Sequence, residues 1–205
     1  MKRTRRTLVA MLALAPAARW QTALAAEAAA VPEQRLVLSN FEGDPEVLVP
    51  GSRWRGFSDR VMGGISDAAF SRAHVAGKNC IRLTGRVTRD SGGGFIQMAL
   101  DLGARGADFD ASAYAGVEFL VHGNDEDYNV HIRTADCGWY DDSYRATFRA
   151  EPRWQRLRLA WGDFKGNGVS VPLDAGHLQR IAWLGWMREF TADLALAEVA
   201  LYPRG

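Results

Sequence analysis

The chain has 205 residues, of which 47% are hydrophobic and 24% are charged, so it is long enough to build one domain around a substantial core. Its formal net charge is +1, which excludes the strongly basic field that general binding to nucleic acid or to an anionic membrane requires. We therefore expect a single soluble domain with no nucleic-acid partner.

The first 25 residues have the three regions of a secretory signal. Basic residues including Arg5 and Arg6 precede an apolar run over 8–18, and Ala23–Ala25 supplies small residues for signal peptidase. The run is shorter than the roughly 20 residues of a membrane helix, so the mature chain should have no membrane span. We expect export to the periplasm or beyond, by the Sec route or by the twin-arginine route.

Residues 26–35 are rich in Ala and poorly patterned, which predicts a flexible leader ahead of one domain over 36–205. From Leu36 onward, short runs alternate apolar and polar residues, as expected of strands with one packed face and one wet face. Eleven strands are predicted: Leu36–Asn40, Arg53–Phe57, Ala69–His74, Cys80–Val87, Gly94–Asp101, Gly116–His122, Tyr128–Thr134, Tyr144–Arg149, Trp154–Ala160, Arg180–Met187 and Leu194–Tyr202.

The segments between these strands carry Gly, Pro, Asn and Asp, as in 91–94 and 166–168, and they are predicted turns. Only 172–178 has the pattern of a helical turn. Many short strands joined by Gly-rich turns indicate an all-β fold, a β-sandwich, and within that class a jelly roll.

The sequence has no recognisable catalytic, metal or cofactor motif. Its four histidines lie far apart without zinc-ligand spacing, and His131, between Val130 and Ile132, is predicted on the wet face of its strand. Ser66 and Ser91 lack a nucleophile elbow, and the glycines at 92–94 open a strand rather than the helix that a dinucleotide site needs. We predict no enzyme activity, no metal and no cofactor.

Two loops leave ligand binding open. The acidic residues at 125–127 and 141–142 are typical of solvated turns, although calcium is a further option. Trp139 and Tyr140 precede the second acidic pair, which suits stacking on a sugar face or packing at the rim of the sandwich. Cys80 and Cys137 could form a disulfide in an oxidising compartment or remain free thiols.

The most distinctive stretch runs from Trp54 to Ser66, where a short strand enters a loop containing Asp59, Arg60 and the glycines Gly63 and Gly64. Paired glycines beside charged residues indicate a tight turn or a close approach of the backbone to another group. The order of this stretch, then Gly92–Phe95, and then the strands that follow, resembles the complex I intermediate-associated protein 30 family over about Leu38 to Tyr202. Further matching positions are Gly116, Val117, Phe119, Tyr128, Arg133, Thr134, Tyr144, Phe148, Trp154, Leu157, Phe164, Ile181 and Gly185.

The resemblance implies a galactose-binding-domain-like jelly roll and a role in assembling respiratory complexes through protein partners, with no catalysis. This sequence departs from the family pattern at Gly93 and Gly94, where an Asn before Gly-Phe is usual. It also departs in its apparent export signal, because family members that act on complex I are mitochondrial. We expect binding through the 59–66 loop and neighbouring loops, with these candidate residues: Asp59, Arg60, Gly63, Gly64, Ser66, Gly93, Gly94, Phe95, Trp139 and Tyr140.

Three alternatives stay open at this point. Asp59 could simply tie down its own loop by accepting backbone N–H bonds. The domain could be a carbohydrate-binding module of the cell envelope that stacks Trp139 and Tyr140 on a glycan. An enzyme with a cleft around His131, Arg133 and Tyr144 is the remaining class.

Overall fold

A computed structural model describes residues 34–43, 46–104 and 107–205. The predicted signal peptide over 1–25 and most of the predicted leader over 26–35 lie outside these residues. Among the residues described, no helix has both the length and the apolar character needed to cross a membrane.

The described residues form twelve β-strands joined by loops and four short 3₁₀ turns. The strands are β1 Leu36–Asn40, β2 Arg53–Ser58, β3 Ala69–Val75, β4 Lys78–Val87, β5 Phe95–Asp101, β6 Tyr114–His122, β7 Glu126–Thr134, β8 Ser143–Ala150, β9 Gln155–Ala160, β10 Lys165–Asn167, β11 Leu178–Trp186 and β12 Phe190–Pro203. The 3₁₀ turns are Asp59–Met62, Asp90–Gly92, Trp161–Asp163 and Ala175–His177.

The strands form two antiparallel sheets. The back sheet has the order β3-β4-β12-β6-β9, and β1 also pairs with β12. The front sheet has the order β10-β8-β7-β11-β5-β2. In the back sheet the 14 residues of β12 pair with β4 through Phe190–Leu196 and with β1 near the end of the strand, while β6 lies along its other edge.

The core lies between the two sheets and is built from the inward positions of each alternating strand. Phe119 of β6 lies 5.1 Å from Phe148 of β8 and 5.7 Å from Trp183 of β11, measured between ring centroids. These rings, which come from opposite sheets, are buried, and burial of each such side chain stabilises the fold by about 1.5–3 kcal/mol. The predicted β-sandwich is confirmed.

All eleven predicted strands are present, and the structure adds β10. This three-residue strand falls where Gly166, Asn167 and Gly168 predicted a turn, and it pairs at the edge of the front sheet with β8. A short edge strand depends on its neighbour in space rather than on local alternation, so the pattern did not reveal it. Cys80 lies in β4 of the back sheet, whereas Cys137 follows β7 of the front sheet. Both are free thiols.

Candidate functional site

The 3₁₀ turn Asp59–Met62 follows directly from the end of β2. Ser58 has an extended backbone, and its hydroxyl accepts a hydrogen bond from the Arg60 N–H at 3.4 Å, as an N-cap does. Gly63 ends the turn with φ +91°, a conformation that favours glycine. The chain is thereby turned back toward the start of β5.

Asp59 is the anchor of this loop, because its side chain is buried and fully engaged by the protein itself. One carboxylate oxygen accepts the Ser66 N–H at 2.9 Å, and the other accepts the Ser66 hydroxyl at 2.5 Å and the Gly94 and Phe95 N–H groups at 2.6 and 3.2 Å. Burial raises the pKa of Asp59, but these hydrogen bonds outweigh burial and hold the pKa below its usual range.

The Asp59 carboxylate accounts for the presence of glycine at two of the predicted site positions. A Cβ atom on Gly64 or on Gly93 would collide with the Asp59 side chain. Ser66 is also buried, and its hydroxyl accepts the Thr88 N–H at 3.0 Å. The 59–66 loop is therefore held by hydrogen bonds to Thr88, just after β4, and to the start of β5.

The outer side of the same loop is apolar and exposed. Val61 is 69% exposed and Met62 is 53% exposed, and Ile65 is also exposed. Arg60 lies beside them and donates to the Ser66 carbonyl at 3.0 Å, while most of its guanidinium remains in solvent. We call Val61, Met62 and Ile65 the aliphatic rim.

The loop between β7 and β8 stands across from the aliphatic rim. Arg133 donates to the carbonyls of Cys137, Tyr140 and Asp142 at 3.1, 3.0 and 2.5 Å, and so fixes the loop backbone. The Asp142 carboxylate accepts the Trp139 N–H at 2.7 Å. Tyr140 is 73% exposed on this wall, and the Trp139 ring is equally exposed.

Between the two loops lies the outward face of the front sheet. Strand register places Phe57, Gln97 and Leu184 side by side, and the next outward positions along β5 and β11 are Phe95 and Trp186. The rings of Phe95 and Trp186 lie 5.9 Å apart. The floor is therefore apolar, with Gln97 as a hydrogen-bonding group within it.

His131 lies in this face but is not wet, so its predicted solvent exposure is wrong. The side chain is 7% exposed because the Trp186 ring lies 4.9 Å away and Arg145 stacks on that ring at 4.6 Å. Burial and, secondarily, the charge of Arg145 lower the pKa of His131 to about 3. Its Nε2 atom is buried with no hydrogen-bond partner among the described residues.

Tyr144 does not share this face with His131 and Arg133. It pairs with Ile132 across β7 and β8, so the two-residue period of the strand directs it into the core, where it is buried. Its hydroxyl donates toward the carbonyls of Val171 and Pro172 at 3.2 and 3.3 Å. Tyr144 therefore cannot belong to the cleft that the enzyme alternative placed around these three residues.

The two loops and the sheet enclose an open cleft of about 990 Å³. Of the predicted site residues, the cleft is lined by Asp59, Gly93, Gly94, Phe95 and Tyr140. The others support or flank the same loops without lining the cleft: Arg60, Gly63, Gly64, Ser66 and Trp139. Val61 and Met62 of the predicted 59–66 loop also line it. The residues that the sequence did not suggest are Phe57, Gln97, Gln179, Arg180, Ala182, Leu184, Trp186 and Met187.

A second depression of about 570 Å³ adjoins the cleft. We call it the arginine pocket after Arg53, Arg55, Arg133 and Arg180, which line it together with Asp101. Arg133, Gln179 and Arg180 line both depressions, so the two are continuous. The alternation of Arg53 and Arg55 around Trp54 signals a polar outward face, but strand order was needed to place Arg180 beside them.

The chemistry of these groups suits binding. Within the described ranges, no three His, Cys, Asp or Glu side chains come together to hold a metal ion. The acidic residues of the cleft are occupied, because Asp59 anchors its loop and Asp141 pairs with Arg145 at 2.9 Å. What the cleft offers a ligand is exposed apolar surface, aromatic rings and hydrogen-bond donors.

Solved structures that are similar to this chain include carbohydrate-binding modules. The family 11 carbohydrate-binding module from Clostridium thermocellum, in complex with a β-1,3-1,4-mixed-linked tetrasaccharide, is 14% identical; the match covers 82% of this chain and 95% of that one with a TM-score of 0.65. A family 30 carbohydrate-binding module is also 14% identical over 85% of this chain and 90% of its own, with a TM-score of 0.57. At these identities the likeness establishes the fold alone.

A comparison with curated proteins gives no significant match. The family model for complex I intermediate-associated protein 30, by contrast, matches residues 40–185. That range runs from the end of β1 into β11 and includes the 59–66 loop, the Gly92–Phe95 segment and most of the cleft floor. The chain therefore belongs to the complex I intermediate-associated protein 30 family, with a galactose-binding-like jelly-roll fold.

Proposed function

We propose that this chain is a non-catalytic binding domain that associates with protein partners through the cleft. The family to which it belongs is named for association with complex I intermediates, and the partner class proposed here includes subunits of a respiratory complex. The candidate residues Asp59, Gly63, Gly64 and Ser66 shape one wall of this site.

The aliphatic rim is the observation that carries the proposal. Val61, Met62 and Ile65 hold their side chains in solvent although the backbone beneath them is firmly fastened, and Met187 adds another exposed apolar side chain at the cleft. Exposed apolar surface beside a cleft is characteristic of sites that bind proteins, and methionine adapts to irregular partners. An aliphatic rim has little to offer a hydroxyl-rich sugar, which is bound through flat aromatic faces and hydrogen bonds.

The test is a pull-down with the tagged protein expressed in its own host, with the retained proteins identified by mass spectrometry. The variant Val61→Glu/Met62→Glu places charges on the rim, and both positions are exposed, so folding should be unaffected. The matched control is Val171→Glu, an exposed valine that lines neither depression. We expect specific proteins with the wild type and the control but not with the rim variant; equal recovery by all three would contradict the proposal.

A glycan is the second candidate ligand, favoured by the aromatic groups of the cleft. Trp186 lies in the floor and Tyr140 on the wall, with Gln97 and Arg180 able to donate to hydroxyl groups. The carbohydrate-binding modules of the same fold add to this reading. Titration with mixed-linked β-glucan tests it: a saturable change in tryptophan fluorescence that Tyr140→Ala and Trp186→Ala remove would favour the glycan, and no change would exclude this glucan.

A further inference from the structure

The arginine pocket carries more positive charge than its own acidic group can neutralise. Asp101 is its one lining carboxylate among the described residues. Its oxygens contact the Arg55 Nε at 2.6 Å, the Arg180 Nε at 2.6 Å and the Arg53 Nε at 3.5 Å. With Arg133 included, four arginines line the pocket together with this one carboxylate, an excess of three formal positive charges.

The guanidinium groups also keep hydrogen-bond donors to spare. Arg180 uses its Nε–H on Asp101, and within the described ranges its two terminal amines make no hydrogen bond. Arg53 is 62% exposed, and its one contact with a carboxylate of the described residues is the long one with Asp101. A guanidinium presents five N–H donors in a flat fork that matches the two oxygens of a carboxylate.

Nearby carboxylates do not complete the pocket. Asp108 accepts from Gln179 and from His177, both at 3.0 Å, and it does not line the pocket. Because the Arg180 side chain is only 27% exposed, its charge is screened less by salt than a charge on an open surface. An anionic ligand group would therefore gain from these arginines without first displacing an internal partner of Arg180.

His131 provides a second and independent sign of a missing partner. It is more than nine-tenths buried, lines the cleft, and holds its Nε2 atom without a hydrogen bond among the described residues. In strand register it lies opposite Ala182, two residues from Arg180 and on the same face. A buried polar atom without a partner is costly, and a ligand group could satisfy this one once the Trp186 and Arg145 side chains that cover it move aside.

We propose that the arginine pocket binds a carboxylate side chain of an acidic protein segment whose neighbouring apolar residues lie in the cleft. The inference rests on the proposed function, because the aliphatic rim favours a protein over a polysaccharide as the source of the carboxylate. Arg180 and Arg53 hold the carboxylate, and the cleft floor around Phe95 and Trp186 takes the apolar side chains. The segment thus combines acidic and apolar residues within a short length.

The test begins with selection from a random-peptide library displayed on phage, using the full-length chain as bait. We expect the selected peptides to combine Asp or Glu with apolar residues. Replacing the acidic residues of a selected peptide by Asn or Gln should weaken its binding about tenfold, as should Arg180→Gln or Arg53→Glu in the protein. Arg53 is exposed, so its variant should fold even if Arg180→Gln does not.

The matched control is Arg86→Glu, an exposed arginine on β4 of the back sheet that lines neither depression. It should bind the peptides as the wild type does. Peptides selected without acidic enrichment, or bound equally by Arg53→Glu, would overturn the inference and leave the proposed function standing. Failure to select any peptide would overturn both, and retention on polygalacturonate in that case would make an acidic glycan the ligand.

Discussion

Asp59 shows how one buried carboxylate can organise a loop whose outer side is free to bind. Its oxygens accept two hydrogen bonds from Ser66 and one each from the Gly94 and Phe95 backbone, which joins the end of β2 to the start of β5. Because these bonds come from within the protein, the carboxylate has little remaining ability to accept hydrogen bonds from a ligand. We infer that Asp59 contributes to binding by positioning the aliphatic rim rather than by touching the partner.

Replacing Asp59 by alanine should therefore reduce stability strongly. Three backbone N–H groups and the Ser66 hydroxyl would lose a buried charged acceptor, and we expect the free energy of unfolding to fall by about 3 kcal/mol. Urea unfolding measures this. Asp67→Ala, at a neighbouring exposed carboxylate, should change the value by less than about 0.5 kcal/mol. Similar losses for the two variants would contradict the anchoring role.

His131 should make stability depend on pH. Its folded-state pKa is about 3 against 6.5 unperturbed, so between these values the unfolded chain binds a proton that the folded chain does not. Stability then falls as pH falls from 6.5, by up to about 1.4 kcal/mol per pH unit. Urea unfolding between pH 6.5 and 5 should give a smaller slope for His131→Gln than for the wild type.

Other groups do not confuse that comparison. The pKa of exposed His177 is raised by its hydrogen bond to Asp108, which gives both proteins the same opposite contribution. Carboxylates with lowered pKa, such as Asp59, lose their stabilising effect only as pH falls through about 4 and below. Equal slopes for wild type and His131→Gln would mean that the imidazole is not held neutral.

At the scale of the element, the 59–66 loop depends on two adjacent glycines for different reasons. Gly63 has φ +91° and open space where a Cβ atom would lie, whereas a Cβ on Gly64 would meet the Asp59 carboxylate. Gly63→Ala should cost about 1 kcal/mol of unfolding free energy through backbone strain. Gly64→Ala should cost about 3 kcal/mol because the anchor must move. Chemical unfolding of both variants tests this order, and a reversed order would contradict it.

The strands were predictable from the sequence to a far greater extent than the site. Alternation in runs such as 117–121 and 144–148 reports which residues face the core, and that signal is local. Alternation did not reveal the burial of His131, because this outward position is covered by Trp186 and Arg145, which are neighbours in space. Local alternation gives no information about what lies over the far side of a sheet.

To predict the proposed binding face from the sequence, one would need the order of the strands in the sheet as well as their positions along the chain. Arg53 and Asp101 lie on β2 and β5, and Arg180 lies on β11, about 80 residues further along the chain from Asp101. The arginine pocket forms only because β5 is between the other two strands in the front sheet. The distinctive 54–66 stretch, in contrast, could be recognised locally. Its carboxylate, Asp59, packs against Gly64 of the same loop and accepts hydrogen bonds from the adjoining 93–95 backbone.

At the scale of the whole molecule, the sandwich separates support from binding. The back sheet carries the ion-paired cluster of Glu118 with Arg35, Arg156 and Arg158, which satisfies a buried carboxylate internally. The front sheet instead presents apolar surface and unused hydrogen-bond donors. This contrast supports the proposal that the front face, with the two loops as its walls, is the binding face.

The most direct test is photo-crosslinking in the native host. A photoreactive phenylalanine analogue is placed at Met62 on one wall, at Tyr140 on the other, and at exposed Val171 as the control. The account predicts a covalent adduct with the same protein from Met62 and from Tyr140, and none from Val171. Absence of a protein adduct from both walls, or an equal yield from Val171, would contradict the claim that the cleft is a protein-binding site.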